Sequence, residues 1–253
     1  MPAMPGSAAD RARLLAALTR LLDEDGRVVA AWLRGSLGRG DEDDVSDIDL
    51  HVATEDGALA DFDGLLALPG RPLLVQTVFS APRGGATRCV LYAGEHGPQQ
   101  VDWMLWPRSV AVLHPPARAL FARSPITVAA SERYETLIDQ PAGDAGPGHG
   151  EATCWLFALI AARYLTRRWD SAVLAMLQGS ARAAGLATGG TAALPAVPAE
   201  AEVGAGVLQA WAAALRAAVP GSRRAGDFAS PEAVEGICRF IEGVAAAGGA
   251  HAI

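Results

Sequence analysis

The sequence contains no lysine; all 21 of its basic residues are arginine. Together with 28 glycines and abundant alanine this fits a high-GC coding bias, and no mechanism follows from it. The absence does exclude one reading. The glycine-rich segment 141–150 has no lysine to reach a phosphate and no strand leading into it, so it reads as a flexible linker and not as a phosphate-binding loop. Cysteine is equally sparse: Cys89, Cys154 and Cys238 are far apart, odd in number and set in apolar runs. They exclude a disulfide framework and read as buried free thiols in a reducing cytoplasm. Long hydrophobic runs are missing too. The longest, around Trp155, is too short and too interrupted to span a bilayer, and no basic-then-apolar leader opens the chain, so no membrane partner is expected.

What is present is apolar enough for a proper core, since hydrophobic residues make up 51% of the 253. The net charge of −7 is unevenly placed: residues 1–107 hold 16 acids and 9 arginines, whereas residues 108–253 hold 12 of each. An acidic half suits divalent metals and cationic small substrates. It argues against a long nucleic-acid track, which needs a basic groove.

The stretch around which the chain is organised runs from Trp32 to Val52. An apolar run, 28–33, predicts a buried strand, and Ile48, Leu50 and Val52 alternate with polar neighbours as in a half-buried one. Gly35, Ser36 and Gly40 are therefore expected in a strand-to-strand turn. On a strand, Asp47 and Asp49 share a face roughly 6.6 Å apart at 3.3 Å per residue. Two hard oxygen ligands so placed suit Mg²⁺. A third would allow two ions about 4 Å apart, the geometry that serves phosphoryl transfer. Gly35 lets backbone approach a ligand closely, Ser36 offers a hydroxyl and an N–H to a phosphate, and Arg39 adds a cationic fork. The neighbouring acids Asp41, Glu42, Asp43 and Asp44 read as a solvated turn.

A third acid stands in the apolar run 99–107, where Asp102 lies between Val101 and Trp103. A buried strand does not keep an unpaired carboxylate without a partner for it. Gly35-Ser36, a short loop, Asp47-Ile48-Asp49 and then an Asp on a later strand resemble the signature of the nucleotidyltransferases of the DNA polymerase beta superfamily. The resemblance is sharp over residues 30–52 and 99–107 and only architectural beyond 108. It implies an α/β (α+β) fold in which a small mixed sheet with flanking helices, residues 1–107, is followed by a helical bundle, residues 108–253. The small-molecule members of that family, the aminoglycoside and lincosamide nucleotidyltransferases, are built this way.

The resemblance implies transfer of a nucleoside monophosphate, AMP from ATP, to a hydroxyl of a small acceptor. Asp47, Asp49 and Asp102 would be the Mg²⁺ ligands, and Gly35, Ser36 and Arg39 would hold the nucleotide's phosphates. Two rival readings are a protein-adenylylating enzyme and a non-catalytic nucleotide-binding module. A monomer and a homodimer with a shared site are both compatible with the sequence.

Elsewhere the periodicity predicts a leucine-rich helix from Ser7 to about Gly26, packing behind the sheet as core. It also predicts a helical or irregular crossover over 55–70 and three hairpin-linked strands over 73–79, 87–92 and 99–106. After Pro107 the expected elements are an interrupted amphipathic helix over 108–124, a short helix from Ser131, and helices over 152–167, 170–186, 203–218 and from Ser230 onward. Arg167-Arg168-Trp169 reads as a solvated helix end in preference to a triphosphate grip. A general base is also needed; Asp102 is one candidate, and the resemblance implies that an acid from the helical half can serve instead, with Glu151 the best match by position and His149 next.

Overall fold

The structure is a computed structural model and describes residues 8–58, 62–128, 138–139, 148–223 and 226–249. The leucines of α1 (Ala8–Glu24) recur every three to four positions, and Leu18 and Leu22 are fully buried against the sheet. Then come β1 (Val28–Leu33), buried throughout, the single helical turn α2 (Gly35–Arg39), β2 (Ile48–Thr54) and the short crossover helix α3 (Phe62–Leu66). Next are β3 (Leu74–Val78), the two-residue β4 (Ala81–Pro82), β5 (Ala86–Tyr92) and β6 (Gln99–Pro107). The predicted strands and crossover are therefore present. The segment after β1 is not a plain turn, however: Gly35 sits at φ +56°, and one helical turn closes at Gly40, whose N–H donates to Ser36 O.

Beyond Pro107 the chain stays with the strands longer than its alanine content suggests. A 3-10 turn (Arg108–Val110) leads to β7 (Val112–Leu113), β8 (Arg118–Ala122), β9 (Thr127–Val128) and β10 (Ile138–Asp139). The amphipathic helix expected over 108–124 is not formed. Instead β8 pairs antiparallel with β1, and Leu120 and Phe121 pack on the core, so the pairing of an edge outweighs local propensity. The helix expected from Ser131 and the linker 141–147 lie outside the described residues.

The helical half comprises α4 (His149–Thr166), α5 (Asp170–Thr188), α6 (Ala205–Ala218) and α7 (Pro231–Gly249), with β11 (Phe228–Ala229) between the last two. Ser230 caps α7 by accepting the Ala233 N–H at 3.1 Å, as its position before Pro231 predicts.

The main sheet has the order β11-β3-β5-β6-β2-β1-β8, and all its junctions are antiparallel except that between β2 and β6. Two of its strands, β8 and β11, come from beyond residue 107. One face packs on α1 and α3 through Ile48, Leu50, Val101 and Trp103; the other carries α4 through Leu74, Cys89, Leu91 and Trp155. No helix among the described residues is long and apolar enough to cross a membrane.

Trp155 is fully buried in the helical core, and its indole N–H donates to Val219 O at 2.9 Å. Trp155→Ala should lower stability by about 3–5 kcal/mol, read as a drop in the urea midpoint at unchanged slope.

Candidate active site

The one parallel junction positions the acids. In the β2–β6 register Asp49 lies beside Asp102, and on the next strands Cys89 lies beside Asp102 and Gln76 beside Cys89. Because Ile48, Leu50, Val101 and Trp103 fill the opposite face, this row points toward α4. Asp47 precedes β2 by one residue and keeps about a third of its side chain exposed.

Crowding and burial tell on these carboxyls. Asp102 is pushed up to about 7, chiefly by burial and then by the Asp47 charge, against a 2.7 Å hydrogen bond from Gln100 Nε2 that favours the ionised form. Asp49 is pushed up to about 6, again by burial first and Asp47 second, with Arg34 and Arg39 opposing. The Cys89 thiol is driven well above its usual value by its own burial and by Asp102, which leaves it protonated and unreactive.

Gly35 has a sharper role than loop flexibility. A Cβ there would lie 1.7 Å from Asp49 Oδ2, so the carboxylate rests where any other residue's side chain would stand. Gly35, Ser36, Arg39, Asp47 and Asp49 line a cleft of about 620 Å³, faced by Arg167 and Trp169. Asp102 is not in the wall of this cleft. Arg39 donates to Asp41 Oδ2 at 3.0 Å, so its guanidinium already has a surface partner.

Two arginines from the helical half complete the site, and sequence reasoning missed or discounted both. Arg163 of α4 is buried; its Nη1 donates to Gln100 Oε1 at 2.7 Å and lies 3.7 Å from Asp47 Oδ2. Burial pulls its pKa down, opposed by Asp47 and Asp102. Its Nε has no hydrogen-bond partner among the described residues. A signal was available: an arginine among the buried Ala158, Leu159 and Ala162 of one helix needs an acid, as Asp102 needed a cation.

Arg167, read from sequence as a solvated helix end, instead forks onto Asp43 at 2.7 and 2.8 Å and reaches Ser46 Oγ at 3.3 Å. This pair holds the Asp43 carboxyl well below the usual range. From the other side Arg11 of α1 donates to Asp43 O at 2.7 Å and Ser46 O at 3.1 Å. Helix α1 is thus more than core, and the acidic turn is pinned from both sides. Trp169 stands at the rim, 53% exposed, with the Arg167 guanidinium 5.3 Å from its ring centroid and the Tyr164 ring 5.4 Å away.

Glu151 and His149 are not brought to the carboxylates. Glu151 lies twelve residues before Arg163 on one helix, about 18 Å along it at 1.5 Å per residue. Its carboxylate accepts the Ser222 N–H at 2.6 Å and the Ser222 hydroxyl at 3.0 Å, so it anchors a loop of the helical half. His149 Nδ1 lies 2.7 Å from Asp227 Oδ2, in another part of the fold. The expected base in Glu151 or His149 is therefore set aside, because position in sequence did not translate into proximity. Elsewhere Asp10, Glu95 and His96 cluster with metal-like spacing, but Arg13 bridges Asp10 and Glu95 and supplies the positive charge there.

No protein-family model matches the chain, and neither does any curated protein.

The acid cluster sets a pH dependence for the metal-free protein. Unfolded aspartates ionise near pH 3.9, whereas Asp49 and Asp102 retain protons to about 6 and 7 in the fold. Between those limits the folded state binds more protons, so its stability should fall as pH rises from about 4 to 7, by on the order of a few kcal/mol. Urea midpoints in EDTA across that range measure this, and Asp102→Asn should flatten the profile.

Proposed function

We propose that the chain is a Mg²⁺-dependent nucleotidyltransferase that moves a nucleoside monophosphate, AMP from ATP, onto a hydroxyl of a small acceptor and releases pyrophosphate. The observation that carries this reading is the placement of Asp47 and Asp49 beside the Gly35-Ser36 turn in the wall of one cleft, with Asp102 next to Asp49 in the β2–β6 register behind it. Asp49 and Asp102 are pushed up by burial and by the Asp47 charge even with Arg163, Arg34 and Arg39 nearby, a crowding that a divalent cation would relieve, and the three carboxylates offer the hard oxygen donors such an ion takes. Asp47, Asp49 and Asp102 would hold it. When bound, Mg²⁺ would neutralise charge on the phosphoryl group in transfer.

The remaining tasks belong to the chain. Ser36 and the Gly35 backbone line the cleft where the terminal phosphates would sit, and Arg39 would exchange its Asp41 partner for them. Arg163, fixed by Gln100, keeps Asp47 oriented. Asp102, beside Asp49 in the β2–β6 register, would take the acceptor's hydroxyl proton as the oxygen attacks the α-phosphorus and the bond to pyrophosphate breaks. Most of the acceleration would come from alignment and charge. The acidic half supports a small acceptor over nucleic acid. Three buried free cysteines support a reducing, cytoplasmic setting.

Incubation with Mg²⁺, ATP labelled on the α-phosphate and a panel of aminoglycosides and lincosamides tests the reading. Label should pass to one compound, and Asp47→Asn should cut transfer at least about 100-fold. Label on a co-purifying protein instead would favour the protein-adenylylating alternative, and absence of Mg²⁺-dependent nucleotide binding would remove the enzyme reading altogether.

A further inference from the structure

Strand β5 presents Cys89 to the aspartate row, so its neighbour Arg88 points to the other face of the sheet, beside Thr77 of β3. A second cavity, of about 450 Å³, opens there. Three arginines line it from separate segments: Arg71 ahead of β3, Arg88 within β5 and Arg223 ahead of β11. Leu66, Val75 and Phe228 give it apolar walls.

Two acids also line it, but one is already engaged. Asp227 Oδ1 accepts the Thr77 N–H at 2.9 Å and the Thr77 hydroxyl at 2.6 Å, and Oδ2 meets His149 Nδ1 at 2.7 Å. Asp63 is exposed. On the cationic side, Arg88 is half-buried, and its Nη1 donates to Thr87 O at 2.9 Å. Arg223 is steadied by Pro72 O at 3.1 Å and lies 5.9 Å over the Phe228 ring, with the exposed Glu232 at 3.4 Å. Arg71 has no ion-pair partner among the described residues. Burial also pulls the Arg88 pKa down against the attraction of Asp227 and Asp63, the mark of a cation drawn partly out of water.

We propose that this cavity is a second ligand site that takes a small phosphomonoester, its phosphate held by Arg71, Arg88 and Arg223 and its apolar body against Leu66 and Phe228. Convergent guanidiniums match phosphate oxygens in charge and geometry, and the volume suits a molecule of metabolite size. The site is separated from the aspartate cleft by the thickness of the sheet. It does not rest on the transferase reading.

Isothermal titration of the full chain in EDTA, with phenyl phosphate and inorganic phosphate as probes, tests it. Phenyl phosphate should bind saturably and more tightly than inorganic phosphate. Arg88→Gln and Arg71→Gln should each weaken it about tenfold, while Arg167→Gln, on the other face, should leave its affinity unchanged. If Arg88→Gln does not fold, the exposed Arg71→Gln decides. No saturable binding of either probe, equal binding of both, or a loss that follows Arg167→Gln and spares Arg71→Gln would overturn the proposal.

Discussion

Asp47, Asp49 and Asp102 are crowded into a partly buried space, and much of the surrounding structure is arranged to sustain that crowding. Asp49 and Asp102 are neighbours because β2 and β6 run parallel, and they do so because the chain leaves β2 through α3, β3 and β5 before returning beside it. Ile48, Leu50, Val101 and Trp103 lock both strands from behind, so neither acid can turn away without exposing core. Ionising all three at once is opposed by burial and by mutual repulsion, and the raised pKa values of Asp49 and Asp102 record that cost. A site of this kind is more stable when a cation joins it, which couples folding to ligand in a way an apolar cleft does not.

Helix α4 ties the two halves together at this point. Its C-terminal turns deliver Arg163 to Asp47 and Gln100, and Arg167, just past its end, goes to Asp43, while Arg11 of α1 grips the same acidic turn from the opposite direction. The backbone leading into the metal-binding candidates is therefore set by residues more than a hundred positions apart. Alteration of Arg167 or Arg11 would act on the cleft through the shape of that turn.

Much of this was legible in the sequence because the signals were local. Alternation marked β2 and β6, the leucine spacing marked α1, and Gly35-Ser36 with Asp47 and Asp49 marked the floor of the cleft. Asp102 could be picked out because a lone acid between Val101 and Trp103 contradicts its surroundings. The same logic applied to Arg163, but its partners Gln100 and Asp47 lie 63 and 116 positions away, with no pattern to join them. Residues 108–124 carry apolar side chains at spacings that helix and strand both tolerate, and only the open edge of β1 decides between them in favour of β8. Glu151 lies in the first turn of α4, yet it is the other end of that helix that reaches the acids.

Of the six tryptophans, Trp32, Trp103, Trp106, Trp155 and Trp211 are sealed inside the protein, and Trp169 alone stands in water, on the rim of the cleft. A soluble quencher such as iodide or acrylamide therefore reaches one indole out of six. The chain carries its own optical reporter at the entrance to the candidate site, so occupancy of that entrance can be followed in unlabelled protein by how far it shields Trp169 from the quencher.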